Sequence, residues 1–283
     1  MNTFDSTDNE CRKYTLYLTG IMKHPLYQVD AFTDTIFGGN PACVVPLENW
    51  LPDNVLLKIA KENAVAETAF FVDKGEKIHL RWFTPELEMD LCGHATLATA
   101  HCLHTLMHYP KKEIVFETLS GDLHVTIDQE LFKMDFPSRM PVESDVPSEI
   151  LKSLNIQPKE IFKSRDYMLV YENETEIRHM NINRTLFDQI NLGAGGVIVT
   201  AAGDTCDFVS RFFTPQASIL EDSVTGSAHC SLIPFWANRL NKKELVAHQV
   251  SERMGKLYCE YRGERVIISG HAKTYSIGCL FTE

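Results

Sequence analysis

The sequence has no concentrated positive charge, no long apolar run and no close pair of cysteines, and each absence closes off a class of protein. Its 27 lysines and arginines are scattered and outnumbered by 38 acidic residues, for a net charge of −11. A nucleic-acid partner needs a basic face to neutralise phosphates, so none is expected. No stretch approaches the roughly 20 apolar residues of a membrane-spanning helix, so no membrane partner is expected either. The N-terminal "KYTLYLTGIM" is too short and too polar for the apolar segment of a signal peptide. The eight cysteines, at 11, 43, 92, 102, 206, 230, 259 and 279, contain no C-x-x-C pair. They read as reduced thiols, which points to the cytoplasm. Two glycine-rich stretches fail as nucleotide loops. "FGGNPACVV" (37–45) lacks the Lys-Ser/Thr of a P-loop, and "GAGGVIVTA" (193–201) runs into a strand rather than a helix. His101, His104 and His108 could cluster along one helix, but no carboxylate completes a ligand set, so no metal is expected.

Two halves of the chain rhyme. "RWFTPELEMDLCGHATLATAHCL" begins at Arg81 and "RFFTPQASILEDSVTGSAHCSL" at Arg211. Each opens Arg-aromatic-Phe-Thr-Pro and closes on Ala-His-Cys before a leucine. Aligned on the glycine, Cys92 meets Thr225, Gly93 meets Gly226 and His94 meets Ser227, with three extra residues in the second copy. The chain therefore reads as a duplicated unit. With 44% hydrophobic residues it can bury one large core or two ordinary ones. "YQVDAFT", "CVVPL", "TAFFVD", "IHLRWFT", "EIVFETL" and "LHVTID" read as strands, the first beginning near Tyr27. "PDNVLLKIAKENA" reads as a helix with Asp53 as its N-cap. "GHATLATAHCLHTLMH" reads as a helix apolar on most faces, buried within its sheet. In the second half "DFVSRFFT" is a strand and "GSAHCSLIPFWANRL" a helix. The polar residues 1–21 read as a loose extension. The Pro-rich "DFPSRMPVESDVPSE" places the boundary between the halves near residue 130.

Each glycine turn stands at a helix N-terminus, where free N–H groups and the helix dipole attract anions. If the halves face each other, both termini open on one cleft and can hold a carboxylate. The same glycines would also be needed merely for a strand-to-helix turn. Glu67 lies between Ala-Val-Ala and Ala-Phe-Phe, a setting that desolvates a carboxylate and raises its pKa toward proton-shuttling range. A solvated glutamate at a strand start fits the same residues. Asp222 can cap the second helix, orient a substrate or carry a proton. Cys92 could be an activated thiol at a helix N-terminus. A two-thiol racemase, however, needs a second cysteine where this chain has Thr225, so Cys92 reads as a small turn residue.

With Glu67, "CGHATLATAH" and "EDSVTGSAH" in view, the chain resembles the phenazine-biosynthesis isomerase-like (PhzF-like) family, itself similar in fold to diaminopimelate epimerases and proline racemases. "VDAFTDTIFGGNPACVV", "ETAFFV", "SGDLHV" and "RFFTP" extend the likeness over nearly the whole chain from Tyr27. Two departures stand out: Cys-Gly-His-Ala replaces the family's usual Ala-Gly-His-Pro, and Asp222-Ser223 replaces Asp-Pro. The resemblance implies an α+β fold of two pseudo-symmetric diaminopimelate epimerase-like domains. Each is a curved, mostly antiparallel sheet around a central helix, with the active site between them. It places the domains at 22–129, with 267–283 packed onto the first, and at 130–266. It implies a cofactor-independent isomerase in which Glu67, His94 and Asp222 are catalytic. Asn40, Gly93, Gly226 and Ser227 are then substrate-binding, the partner is a small carboxylate-bearing substrate, and a homodimer is the candidate assembly. A racemase using Cys92 with another base, and a non-catalytic carboxylate-binding protein, are the alternatives.

Overall fold

The computed structural model describes residues 20–193 and 195–283, so most of the expected N-terminal extension lies outside the described residues. Eighteen strands join into one hydrogen-bonded sheet system with few helices. In the first half these are β1 (Met22–Ala31), β2 (Asn40–Leu47), β3 (Glu67–Asp73), β4 (Ile78–Phe83), β5 (Glu88–Met89), β6 (Glu113–Thr118), β7 (Gly121–Asp128) and β8 (Leu131–Pro137). They are followed by β9 (Val142–Glu143), β10 (Glu160–Lys163), β11 (Tyr167–Val170), β12 (Val197–Ala202), β13 (Phe208–Phe213) and β14 (Glu221–Asp222). The last four are β15 (Glu244–Gln249), β16 (Gly255–Tyr261), β17 (Arg265–Gly270) and β18 (Ala272–Thr282). Three helices matter below: α1 (Asp53–Asn63), α2 (Gly93–His101) and α3 (Gly226–Leu240).

The repeated sequence forms a repeated pattern of pairing. β2 runs parallel to β3, β3 antiparallel to β4, β4 antiparallel to β5 and parallel to β6. Likewise β11 runs parallel to β12, β12 antiparallel to β13, β13 antiparallel to β14 and parallel to β15. The two arginines that open the repeat do the same task in each copy. Arg81 on β4 grips Glu88 on β5 with two bonds of 2.7 Å, and its guanidinium lies over Phe83. Arg211 on β13 grips Glu221 on β14 at 2.7 and 2.8 Å and lies over Phe213. A two-residue strand has almost no ladder of its own, so these fork-to-carboxylate pairs fix β5 and β14 in place.

α2 has no polar face to show solvent, and all nine of its residues are buried. Its small side chains pack closely against β1, β2, β3 and β8. The single helix expected onward from Gly93 widens into a π-helical turn at Cys102–Leu106. α3 is largely buried too and contains Pro234, which has no N–H to give the carbonyl of Cys230. The backbone N–H of Arg139 fills that gap at 2.8 Å, tying the segment after β8 to the helix. α1 lies apart, with Leu56, Ile59 and Ala60 packed on Phe70 of β3.

Two local expectations need correction. β1 begins at Met22 rather than near Tyr27, because β18 pairs with it from Thr282 inward. β2 joins only from Tyr27 onward, so Pro25 sits where β1 has an open side and its missing N–H goes unneeded. Asp53 is not the cap of α1: Pro52 holds that position and Asp53 sits in the first turn, 2.9 Å from Arg81. Residue 130 lies in the tight turn between β7 and β8, and β8 is hydrogen-bonded to both β7 and β17. The C-terminal β18 pairs with β1.

Candidate functional site

Where the halves meet, the N-termini of α2 and α3 touch. A methyl group built on Gly93 would lie 3.0 Å from the Cα of Gly226, and one built on Gly226 would lie 3.0 Å from the Cα of Gly93. Only glycine at both positions allows this approach, and neither needs a left-handed backbone to do it. Both termini open on a cavity of about 340 Å³. Neither cap residue, Cys92 or Thr225, caps its helix with its side chain, so N–H groups of both first turns stay available.

Glu67, His94 and Asp222 all line this cavity, as do Gly93, Gly226 and Ser227. Glu67 stands at the first residue of β3, with its side chain 14% exposed. Its Oε2 lies 3.0 Å from Nε2 of His94, close but off the hydrogen-bond direction, so both remain buried polar atoms without an aligned partner. That is an unusual state for two interior groups, and it leaves both able to engage a ligand.

His94 is 2% exposed, and its other nitrogen, Nδ1, faces the amide nitrogen of Asn40 at 3.2 Å and the Cys92 sulfur at 3.6 Å. An amide N–H₂ cannot accept, so this neighbour favours the tautomer with the proton on Nε2, facing Glu67. Burial works against an imidazolium here; negative charge at the Cys92 sulfur, then at Glu67, raises the His94 pKa, and with the thiol protonated Glu67 is the charge that remains. Cys92 is 5% exposed, and burial first, then the Glu67 charge, push its thiol pKa up. The helix terminus does not make this thiol a thiolate.

Asp222 does not cap α3. It belongs to β14, and its carboxylate accepts from Asn40 Nδ2 and from the Thr225 hydroxyl, each at 2.6 Å. Burial raises its pKa to about 6; His94 and the two donors oppose the rise, and the Glu67 charge adds to it. Gln249, fully buried, accepts from the Thr225 backbone N–H at 2.8 Å and donates to the Asp222 carbonyl at 2.7 Å. Asn40, expected to contact substrate, is 1% exposed and stands outside the residues that line the cavity. Its amide nitrogen also donates to the Val224 carbonyl at 3.0 Å, so it holds Asp222 and His94 in register from behind.

Glu67, Cys92 and His94 place one donor atom each within 4.8 Å of one another. Yet Glu67 meets Nε2 and Cys92 meets Nδ1, and the lone pairs of the two ring nitrogens diverge. An ion shared by all three would have to take one ring nitrogen or the other. His101 bonds Thr274 at 2.9 Å, and burial lowers its pKa to about 4. Among the described residues no helix is long and apolar enough to cross a membrane.

A cavity between two touching helix termini, walled by a carboxylate and an imidazole without aligned partners, belongs to a fold shared with known epimerases. A hydroxyproline epimerase from Agrobacterium vitis superposes with a TM-score of 0.62 at 10% identity, over 92% of each chain, which shows the fold alone. The chain itself belongs to the phenazine biosynthesis-like protein family, whose model matches residues 29–278. A Pseudomonas aeruginosa protein named an uncharacterized isomerase is 45% identical over 92% of this chain and 99% of its own. The crystal structure of a PhzF-family phenazine biosynthesis protein from Enterococcus faecalis is also 45% identical. It has a TM-score of 0.87 and covers 92% of this chain and 99% of that one.

Proposed function

We propose that this chain is a cofactor- and metal-independent isomerase that moves a proton between carbons of a small carboxylate-bearing substrate. It would work in the cytoplasm, at the cleft between two pseudo-symmetric domains (22–129 with 267–283, and 130–266), each a curved sheet around a central helix. The observation that carries the reading is the meeting of Glu67 Oε2 and His94 Nε2, both buried without an aligned partner, on the cavity wall beside two helix N-termini. The substrate carboxylate sits at those termini. Glu67 takes a proton from a carbon conjugated with that carboxylate. The C–H bonding pair moves into the conjugated system, and its charge settles at the N–H groups of Gly93 and Gly226. The protonated Glu67 then returns the proton to a second carbon on the same face, so no external acid or oxidant is needed. His94, Asp222 and Ser227 position the substrate and relay protons. A homodimer is the assembly we assign.

A racemase based on Cys92 requires a thiol that ionises readily, and burial pushes this one the other way. The test is incubation in deuterated water with small unsaturated and amino carboxylates selected by thermal shift. Deuterium incorporation by the wild type, lost in Glu67→Gln, is the expected result. Because Glu67 can return the same proton, the product is read as well: ligands that bind with neither incorporation nor an isomerised product would leave a carboxylate-binding protein and end the isomerase reading.

A further inference from the structure

The cavity that is to hold an anion contains no lysine or arginine among its described lining residues, and three carboxylates, Glu67, Glu86 and Asp222, stand in its wall. A ligand carboxylate entering it meets like charge, and two helix termini oppose that charge only partly. One cation reaches the site from behind. Arg165, between β10 and β11, donates from Nη2 to the hydroxyl oxygen of Ser227 at 2.9 Å, and Ser227 lines the cavity at the first turn of α3. Arg165 is itself fixed. Its Nε lies 3.1 Å from both oxygens of Asp166 and its Nη2 2.8 Å from one of them. Asp166 is 2% exposed and is held in turn by the backbone N–H of Gly196 at 2.9 Å.

A guanidinium only donates, so Ser227 Oγ accepts from Arg165 and its own O–H proton must point elsewhere. No acceptor for that proton is found among the described residues, and Ser227 lines the cavity. We propose that Arg165 is a positioning residue for anion recognition. It turns the Ser227 hydroxyl into a donor aimed at the ligand carboxylate and sets a fixed positive charge behind the α3 terminus. The inference rests on the carboxylate-binding reading above. It adds that selectivity for a carboxylate over its uncharged isostere comes from the Asp166–Arg165–Ser227 chain.

Benzoate and benzamide share a shape, differ in charge and suit a cavity walled partly by Leu87, Leu91 and Phe212. Calorimetric titration of the wild type should show benzoate preferred. Ser227→Ala should weaken benzoate about tenfold, as loss of a charge-assisted bond does, and leave benzamide within about twofold. Arg165→Lys keeps a charge but cannot serve Asp166 and Ser227 with one planar fork, so it should weaken benzoate similarly. The double variant should be little worse than either single variant, because the two residues act as one unit. Arg165→Met strips the partner from a buried Asp166; if it fails to fold, the Lys and Ala variants still decide. Equal losses for benzoate and benzamide, or additive losses in the double variant, would reduce Arg165 to a structural tie and overturn the inference. Failure of the wild type to bind benzoate, in contrast, would overturn the carboxylate-site reading itself.

Discussion

The contact between Gly93 and Gly226 can be perturbed with a single methyl group. Gly93→Ala places a Cβ 3.0 Å from the Gly226 Cα, whereas carbon atoms rest at about 3.5–4.0 Å. The obstacle is backbone rather than the tip of a side chain, so no rotamer change relieves it. The termini of α2 and α3 must separate by roughly 0.5–1 Å, the difference between those two distances. Each helix lies in a packed interior, and forcing an extra methyl into such a site typically costs about 1–3 kcal/mol. The backbone at Gly93 is not left-handed, so alanine brings no conformational strain and the whole penalty comes from the contact.

For a chain of this size each kcal/mol lowers Tm by roughly 2–4 °C, giving an expected fall of about 2–12 °C. The effect on turnover should be larger than the effect on stability. A shift of about 1 Å in groups that hold a reacting substrate is worth as much as 10²-fold in rate. Gly278→Ala is the control: nothing lies within 4 Å of its added methyl and its backbone is not left-handed. It should be neutral or slightly stabilising. Calorimetry gives the stability and deuterium incorporation the activity. Wild-type Tm and turnover in Gly93→Ala would refute the claim that the touching termini set the geometry of the site.

Glu67→Gln should lower turnover by about 10²–10⁴, measured as deuterium incorporation, with the melting curve little changed. Cys92→Ala should keep most activity, since burial keeps the thiol protonated; a loss equal to that of Glu67→Gln would restore the thiol as a base. The Asp222 carboxyl has its folded pKa raised from 3.8 to about 6, so the stability it contributes is present at low pH and is lost as pH rises between those values. Comparing urea unfolding of wild type and Asp222→Asn at pH 4 and pH 7 should therefore show the wild type losing about 2 kcal/mol relative to the variant. Taking the pH-dependent difference cancels any constant cost of the amide; a flat difference would remove Asp222 as a buried titrating group. Crystals grown from sulfate should hold the ion at the Gly93 and Gly226 turns, and anions found only outside the cleft would count against a shared anion site.

Much of the site could be read from the sequence because duplication marks it twice. The matched "RWFTP" and "RFFTP" lead into β4–β5 and β13–β14, and the glycine turns that follow are the ones that meet. The apolar flanks of Glu67 fit a desolvated and a solvated carboxylate alike, and it was the family resemblance that singled it out. The supporting residues were out of reach because each is a single polar residue far from its target in the chain. Arg165 lies 62 positions from Ser227 and Gln249 lies 24 from Thr225, and no local pattern connects them. The bond from Asn40 to Asp222 is equally invisible in the chain, since burial is a property of packing rather than of spacing. The start of β1 was missed for a related reason: Pro25 looks like a strand breaker until β18 is known to pair with only one side.

The two copies differ most where chemistry would require it. At the shared turn position one copy carries Cys92 and the other Thr225, and the structure gives these different work. The Thr225 hydroxyl donates to Asp222 at 2.6 Å, a bond a thiol would make poorly because S–H is a weak donor and sulfur a larger atom. The Cys92 sulfur instead faces His94 Nδ1 at 3.6 Å and stays protonated. The histidine that follows Gly93 is answered by a serine after Gly226, so one terminus carries an imidazole beside Glu67 and the other a hydroxyl backed by Arg165. A symmetric pair of thiols would suit abstraction on one face of a carbon and delivery on the other. This arrangement is lopsided: the basic groups gather at Glu67 and His94, while the facing terminus offers donors. That asymmetry favours proton removal and return on a single face, with the second copy of the repeat serving to hold the substrate.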